Sequence, residues 1–140
     1  MTDLQTAKNY LEGHTICLCK EGKCLFSEKR GIAPMMDFIA DGVGLSGYSV
    51  ADLVVGKAAA LLFVKCGIKR VFAKTLSEHA KRVLELYGVD YEYETLTPKS
   101  IHRDGTDICP MEKAVLGCDD VEEAYLILRN KLNDLRNKNK

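Results

Sequence analysis

One long apolar stretch, SGYSVADLVVGKAAALLFVKCG at residues 46–67, most constrains how this chain can fold. Ten of the twelve residues from 53 to 64 are apolar, and the exceptions are one glycine and one lysine. This run of twelve residues, which the lysine interrupts, is shorter than the roughly 20 apolar residues that cross a bilayer. Ser49 and Asp52 form an S-x-x-D pattern, which is typical of a helix N-terminus. We therefore expect a central helix that begins there and is covered on both sides.

Before this stretch, the sequence predicts a helix and a hairpin. Residues 2–12 carry apolar residues at helical spacing, and a glycine follows them. Residues 14–19 and 23–27 predict two strands joined by a two-residue turn at Glu21-Gly22. This register places Cys19 directly opposite Cys24.

The remaining segments alternate between helical and strand patterns. They predict a short helix or a packed turn at 31–41, a strand at 68–74, a helix from Ser77 to Gly88, a strand at 89–94, and a last helix that begins near Pro110 or Asp119 and ends at Arg136. A hairpin followed by strand–helix units implies a mixed sheet with helices on both faces. We therefore predict an α/β fold, a three-layer α/β/α sandwich.

Length and charge limit the classes of protein to which the chain can belong. Its 140 residues fit one domain, 1–140, with a basic tail at 137–140 that we expect to fray. Lys and Arg together number 20, as do Asp and Glu, so there is no basic field to attract nucleic acid. The N-terminal residues lack the pattern of a secretory signal, and the six cysteines then indicate free thiols in the cytoplasm. We expect no membrane contact, while a homo-oligomer is compatible with the sequence.

Three strings, VVGKAAALL, SEHA and RDGTDICPME, resemble the domain of unknown function (DUF) 1893 family. The resemblance runs from about Thr15 to Glu112. Members of that family resemble the cytidine deaminase fold, which agrees with the order of elements predicted above. The resemblance thus implies a cytidine deaminase-like sandwich, but it implies no activity, because the family has none assigned.

The sequence lacks the residues with which zinc deaminases bind their metal. Those enzymes place a His or Cys ligand and a glutamate at the start of the central helix, and a P-C-x-x-C motif at the start of the next. Residues 54–57 read VVGK and residues 76–80 read LSEHA, so neither position offers that set. A catalytic zinc needs three protein ligands and an open position. We therefore expect no zinc-dependent deamination, no metal and no other cofactor.

Lys57 is the first candidate for a binding residue. A lysine is costly to bury without a partner. Its stem could lie along the sheet while its amine reaches water. Alternatively, the amine lies in the former metal pocket and pairs with a ligand phosphate or with a protein carboxylate such as Glu112. The neighbouring Gly56 would allow a ligand to approach closely, and Ser77 begins a second helix whose free N–H groups favour anions.

A second group of candidates follows in the segment before the last helix. Cys109 precedes a predicted helix N-terminus, where a thiolate is stabilised, and Glu112 follows in the first turn. Arg103, in the turn Arg103-Asp104-Gly105, could grip a phosphate. His79 and His102 are candidate proton carriers. The alternatives for these residues are a buried structural cysteine and solvated surface side chains.

Three hairpin cysteines, Cys17, Cys19 and Cys24, could crowd together. Structural zinc sites usually use knuckles in loops and a fourth ligand. Buried thiols on a sheet face are therefore the favoured interpretation.

Three functions remain in order of preference. The first is binding of a small anionic or nucleotide-like ligand by Gly56, Lys57, Ser77, Arg103, Cys109 and Glu112. The second is a metal-independent enzyme with Cys109 as nucleophile or redox thiol. The third is a protein-interaction module that uses residues 31–38 or the last helix.

Overall fold

The computed structural model describes residues 2–29, 31–98 and 110–138. The elements in chain order are α1 Asp3–Asn9, β1 Ile16–Lys20, β2 Lys23–Ser27, α2 Ala33–Ala40, β3 Ser49–Val55, α3 Lys57–Lys65, β4 Arg70–Ser77, α4 Glu78–Leu86, β5 Asp90–Thr97, α5 Pro110–Val115 and α6 Val121–Lys138.

The strands form one mixed sheet with the order β2-β1-β3-β4-β5. β1 runs antiparallel to both of its neighbours, while β3, β4 and β5 run parallel to one another. Helix α1 covers one face through a small apolar cluster, and α3 lies in the larger core on the other face with residues of α2, α4, α5 and α6. This arrangement confirms the predicted α/β class and its three layers.

The hairpin has the predicted register. Cys19 lies opposite Cys24, and Leu18 lies opposite Leu25. Glu21 and Gly22 both have positive φ, 50° and 85°. Two positive φ values are the signature of the tight turn that matches the twist of a hairpin. Local turn chemistry therefore fixes how these two strands pair.

The predicted start of the central helix is wrong, because residues 49–55 form the central strand β3. Ser49 and Asp52 lie in that strand rather than capping a helix. Gly56 is extended, with φ −100° and ψ −177°, and the helix starts at Lys57. A strand buried on both faces and a buried helix each produce an unbroken apolar run, so periodicity could not separate them.

Other predicted boundaries move by a few residues. Ser77 caps α4 as expected, its hydroxyl accepting a hydrogen bond from the Ala80 N–H. Strands β4 and β5 extend three residues beyond their predicted ends. The segment predicted as one last helix forms two helices, α5 and α6. The two predicted starting points, near Pro110 and near Asp119, correspond to the beginnings of these two helices. No helix in the described ranges is long and apolar enough to cross a membrane.

Candidate functional site

Two helix N-termini meet at one edge of the sheet. β3 and β4 are parallel neighbours, with Val55 in register with Leu76. Each strand leads into its helix within one residue: Gly56 separates β3 from α3, and Ser77 ends β4 and caps α4. The carboxyl ends of adjacent parallel strands are where α/β proteins commonly bind ligands.

Glu112 occupies the position at which an anion would bind to α3. Its Oε2 accepts a hydrogen bond from the Lys57 N–H at 2.8 Å, and its Oε1 accepts one from the Ala58 N–H at 2.8 Å. The residue is only 6% exposed. Burial raises the pKa of Glu112, while these N–H groups and the nearby His79 and Lys57 oppose the increase. The protein thus caps α3 with its own carboxylate.

The Lys57 amine is satisfied by protein groups. Lys57 is 1% exposed, so the expectation that its amine reaches water is wrong. Its Nζ donates to the Leu116 carbonyl at 2.7 Å and lies 3.0 Å from Asp119 Oδ1. The expected protein carboxylate is therefore present, but it belongs to Asp119, whereas Glu112 contacts the Lys57 backbone.

Asp119 is the centre of a clamp that joins α3, α4 and the turn between α5 and α6. Arg82 donates to both of its carboxylate oxygens, at 3.3 and 3.0 Å. The hydroxyl of Tyr87 donates to its backbone carbonyl. Hydrogen bonds from Arg82 and Lys57 lower the pKa of Asp119 to about 2. The carboxylate is therefore ionised at neutral pH.

Asp119 and Arg82 were missed by the sequence analysis. In the sequence, the two acids Asp119-Asp120 before α6 indicated only the start of a helix. One acidic side chain is sufficient to cap a helix. Asp120 fills that role, accepting a hydrogen bond from the Glu123 N–H at 2.8 Å. The second acid was therefore the available signal that a partner for a buried base lay here.

Ser77 and His79 lie at the start of α4. The Ser77 hydroxyl is 1% exposed and accepts from the Ala80 N–H at 3.0 Å, so it is used as a cap. His79 is half-buried and close enough to Glu112 to stabilise the carboxylate electrostatically. The site therefore joins Gly56, Lys57 and Glu112 at one helix start, with Ser77 and His79 at the next.

The other predicted site residues, Arg103 and Cys109, lie outside the described residues, as does His102.

The residues at this edge do not fit a catalytic zinc. The start of α3 offers no His or Cys ligand, since it reads Gly56-Lys57, and the carboxylate of Asp119 is paired with Lys57 and Arg82. Within the described residues, a group of three or more potential metal ligands occurs in the hairpin, formed by Cys17, Cys19 and Cys24, and not at this edge.

Asp52 is a second buried carboxyl group near the middle of the sheet. It is 7% exposed and lies beside Ile16 and Ala73 on the adjacent strands. Burial raises the pKa of Asp52 to about 8, against the effect of the Val54 and Leu53 N–H groups. At neutral pH the folded protein therefore keeps a proton that the unfolded chain releases. Stability that depends on this proton is present at low pH and is lost as the pH rises towards 8.

We expect Asp52→Asn to remove part of the pH dependence of stability. Between about pH 6 and pH 7, the free energy of unfolding of the unmodified protein should fall by about 1.4 kcal/mol more than that of the variant. Urea unfolding at each pH measures this difference. If the free energy of unfolding changed equally with pH in the two proteins, Asp52 would have the same pKa in the folded and the unfolded state.

Comparison with known proteins identifies one family and several similar solved structures. The sequence profile of TM1506, a domain of unknown function (DUF1893), matches residues 6–132. A crystal structure of a DUF1893 family protein from Thermotoga maritima has a TM-score of 0.83 and 29% identity, covering 96% of this chain and 91% of that chain. An apo structure of dCMP deaminase from the cyanophage S-TIM5 has a TM-score of 0.46 and 14% identity, covering 64% of this chain and 92% of that chain. No curated protein shows a significant match. The family resemblance predicted from the three sequence strings is confirmed.

Proposed function

We propose that this chain, which belongs to the DUF1893 family, binds a small nucleotide-like ligand where α3 and α4 begin. The observation that carries this proposal is the meeting of two helix N-termini at one edge of the sheet, where the buried carboxylate of Glu112 binds the start of α3 and the half-buried His79 lies in the first turn of α4. Ligands of α/β proteins commonly lie at such an edge.

Glu112 supplies the part of the site that recognises hydrogen-bond donors. Each carboxylate oxygen has two lone pairs, and the N–H groups of Lys57 and Ala58 each use one. Counting the hydrogen bonds among the described residues, one acceptor position on each oxygen remains for a ligand. The ring and exocyclic N–H groups of a nucleobase have the chemistry to fill these positions.

His79 supplies the part of the site that attracts an anion. It lies in the first turn of α4, where the helix dipole favours negative charge. A phosphate group there would accept a hydrogen bond from an imidazole N–H, which its own negative charge strengthens. A nucleotide thus matches both halves of the site, with its base towards Glu112 and its phosphate towards His79.

Lys57, Gly56 and Ser77 position this site instead of contacting the ligand through their side chains. The Lys57 amine binds Leu116 and Asp119, and the Ser77 hydroxyl caps its own helix. Gly56 forms the extended link between β3 and α3. These residues hold the two helix starts in place. No ligand contact is assigned to Arg103 or Cys109, which lie outside the described residues.

Titration calorimetry with a graded panel tests the proposal. The panel consists of free nucleobases, the matching nucleosides and their 5′-monophosphates. We expect a monophosphate to bind about tenfold more tightly than its nucleoside, because the phosphate adds a charge-assisted contact. His79→Ala should remove about that tenfold advantage while leaving the nucleoside affinity unchanged.

His14→Ala is the matched control, because His14 is also half-buried but lies at the hairpin, bonded to Glu28. This variant should bind the monophosphate as the unmodified protein does. No binding by any member of the panel at millimolar concentration would refute the proposal. Equal monophosphate affinity in His79→Ala and His14→Ala would refute the assignment of the site.

A further inference from the structure

Three thiols converge on the face of the sheet covered by α1. Cys17 and Cys19 are two residues apart in β1, and their sulfurs are 3.6 Å apart. Cys24 lies directly opposite Cys19 on β2. All three sulfur atoms lie within 4.8 Å of one another. The tight turn at Glu21-Gly22 fixes this register, so the hairpin itself brings the thiols together.

The surroundings of this thiol cluster are apolar and almost closed. Cys17 and Cys19 are 0% exposed, whereas Cys24 on the edge strand is half-buried and open to solvent. The neighbouring buried side chains are those of Leu4, Ala7, Leu11, Ala51 and Phe72. Within the described residues, the group holds three thiols and no nitrogen or oxygen ligand from His, Asp or Glu.

The spacing of the sulfurs suits a three-coordinate metal ion. Metal–thiolate bonds of about 2.3 Å place the three sulfurs of a planar site about 4.0 Å apart. The observed pair at 3.6 Å and the limit of 4.8 Å bracket that separation. Small side-chain adjustments therefore suffice, and the backbone of the hairpin can stay in place.

We propose that Cys17, Cys19 and Cys24 form a site for one soft, thiophilic cation, Cu(I). Structural zinc almost always has four ligands, and this cluster offers three. Thiolates select soft ions such as Cu(I), which accepts a three-coordinate thiolate site. Each thiol that coordinates releases a proton to solvent.

An anaerobic Cu(I) titration of the reduced protein against the chelator bathocuproine disulfonate tests the site. The starting protein carries Cys66, Cys109 and Cys118 as serine, which leaves only the cluster thiols. We expect one equivalent of Cu(I) to bind, and X-ray absorption to show three sulfur ligands. Adding Cys24→Ala should weaken binding by about 100-fold or more, since it removes a direct ligand.

Cys24 is chosen because it is the most exposed of the three, so its replacement disturbs the core least. Circular dichroism checks that the variant folds, and Cys24→Val, a good strand residue, is the second variant. Equal Cu(I) affinity with and without the Cys24 thiol in a folded protein would overturn the proposal. Two sulfur ligands by X-ray absorption would overturn the three-coordinate site.

Discussion

Lys57→Ala is expected to lower the free energy of unfolding by about 4 kcal/mol. The substitution removes a fully buried four-carbon stem and leaves a cavity beside the core. It also removes the donor to the Leu116 carbonyl and one of the cations paired with Asp119. Urea denaturation measures the loss.

Two variants separate the parts of this effect. Lys57→Met keeps most of the volume and loses the amine, so it should cost about 2 kcal/mol, because the Leu116 carbonyl loses its donor while little cavity is created. Lys65→Ala is the control on the same helix. Lys65 pairs with Glu122, which is largely exposed, and its replacement should cost about 1 kcal/mol or less. A Lys57→Ala effect no larger than that of Lys65→Ala would contradict the clamp.

Glu112→Ala is expected to lower the free energy of unfolding by about 3 kcal/mol. The substitution leaves the N–H groups of Lys57 and Ala58 without their acceptor at a buried helix start. An unsatisfied buried donor costs about 1–3 kcal/mol, and loss of a helix cap about 1 kcal/mol. Urea denaturation again measures the change.

Glu78→Ala is the matched control for the charge effect, because Glu78 lies in the first turn of α4 but is exposed. Its replacement should change stability by about 0.5 kcal/mol or less. Glu112→Gln keeps one acceptor oxygen and should fall between these limits. The capping role would be wrong if Glu112→Ala and Glu78→Ala had equal effects.

The hairpin was predictable in detail because its determinants are local. Glu21-Gly22 selects the turn, and the turn sets the pairing of Cys19 with Cys24. The same holds for Ser77, whose hydroxyl bonds a backbone group three residues away. Short-range chemistry of this kind can be recognised in the sequence alone.

The central strand was not predicted, because two buried elements follow one another with only Gly56 between them. Three valines in residues 49–55 favour a strand, and the three alanines at 58–60 favour a helix. The apolar run hid this change in composition. β-Branched content, rather than periodicity, was the signal that distinguished the two elements.

The sequence predicted that Lys57 has a carboxylate partner, but it did not identify which residue provides it. Burial required Lys57 to have a partner, but Asp119 is 62 residues away in sequence and only the tertiary fold brings it there. The same applies to Glu112, which reaches the α3 backbone from α5. From a single sequence one can infer that a buried charge needs an oppositely charged partner, but one cannot identify the residue that provides it.

Native mass spectrometry of protein purified without added ligand tests the central claim most directly. The unmodified protein and the variants His79→Ala and His14→Ala are measured in parallel, and the denatured supernatants are analysed for small molecules. We expect a stoichiometric compound with a base and a phosphate on the unmodified protein and on His14→Ala, and its loss from His79→Ala. The same compound on all three proteins, or an empty protein that also fails to bind the nucleotide panel, would contradict a ligand site at the start of α3 and α4.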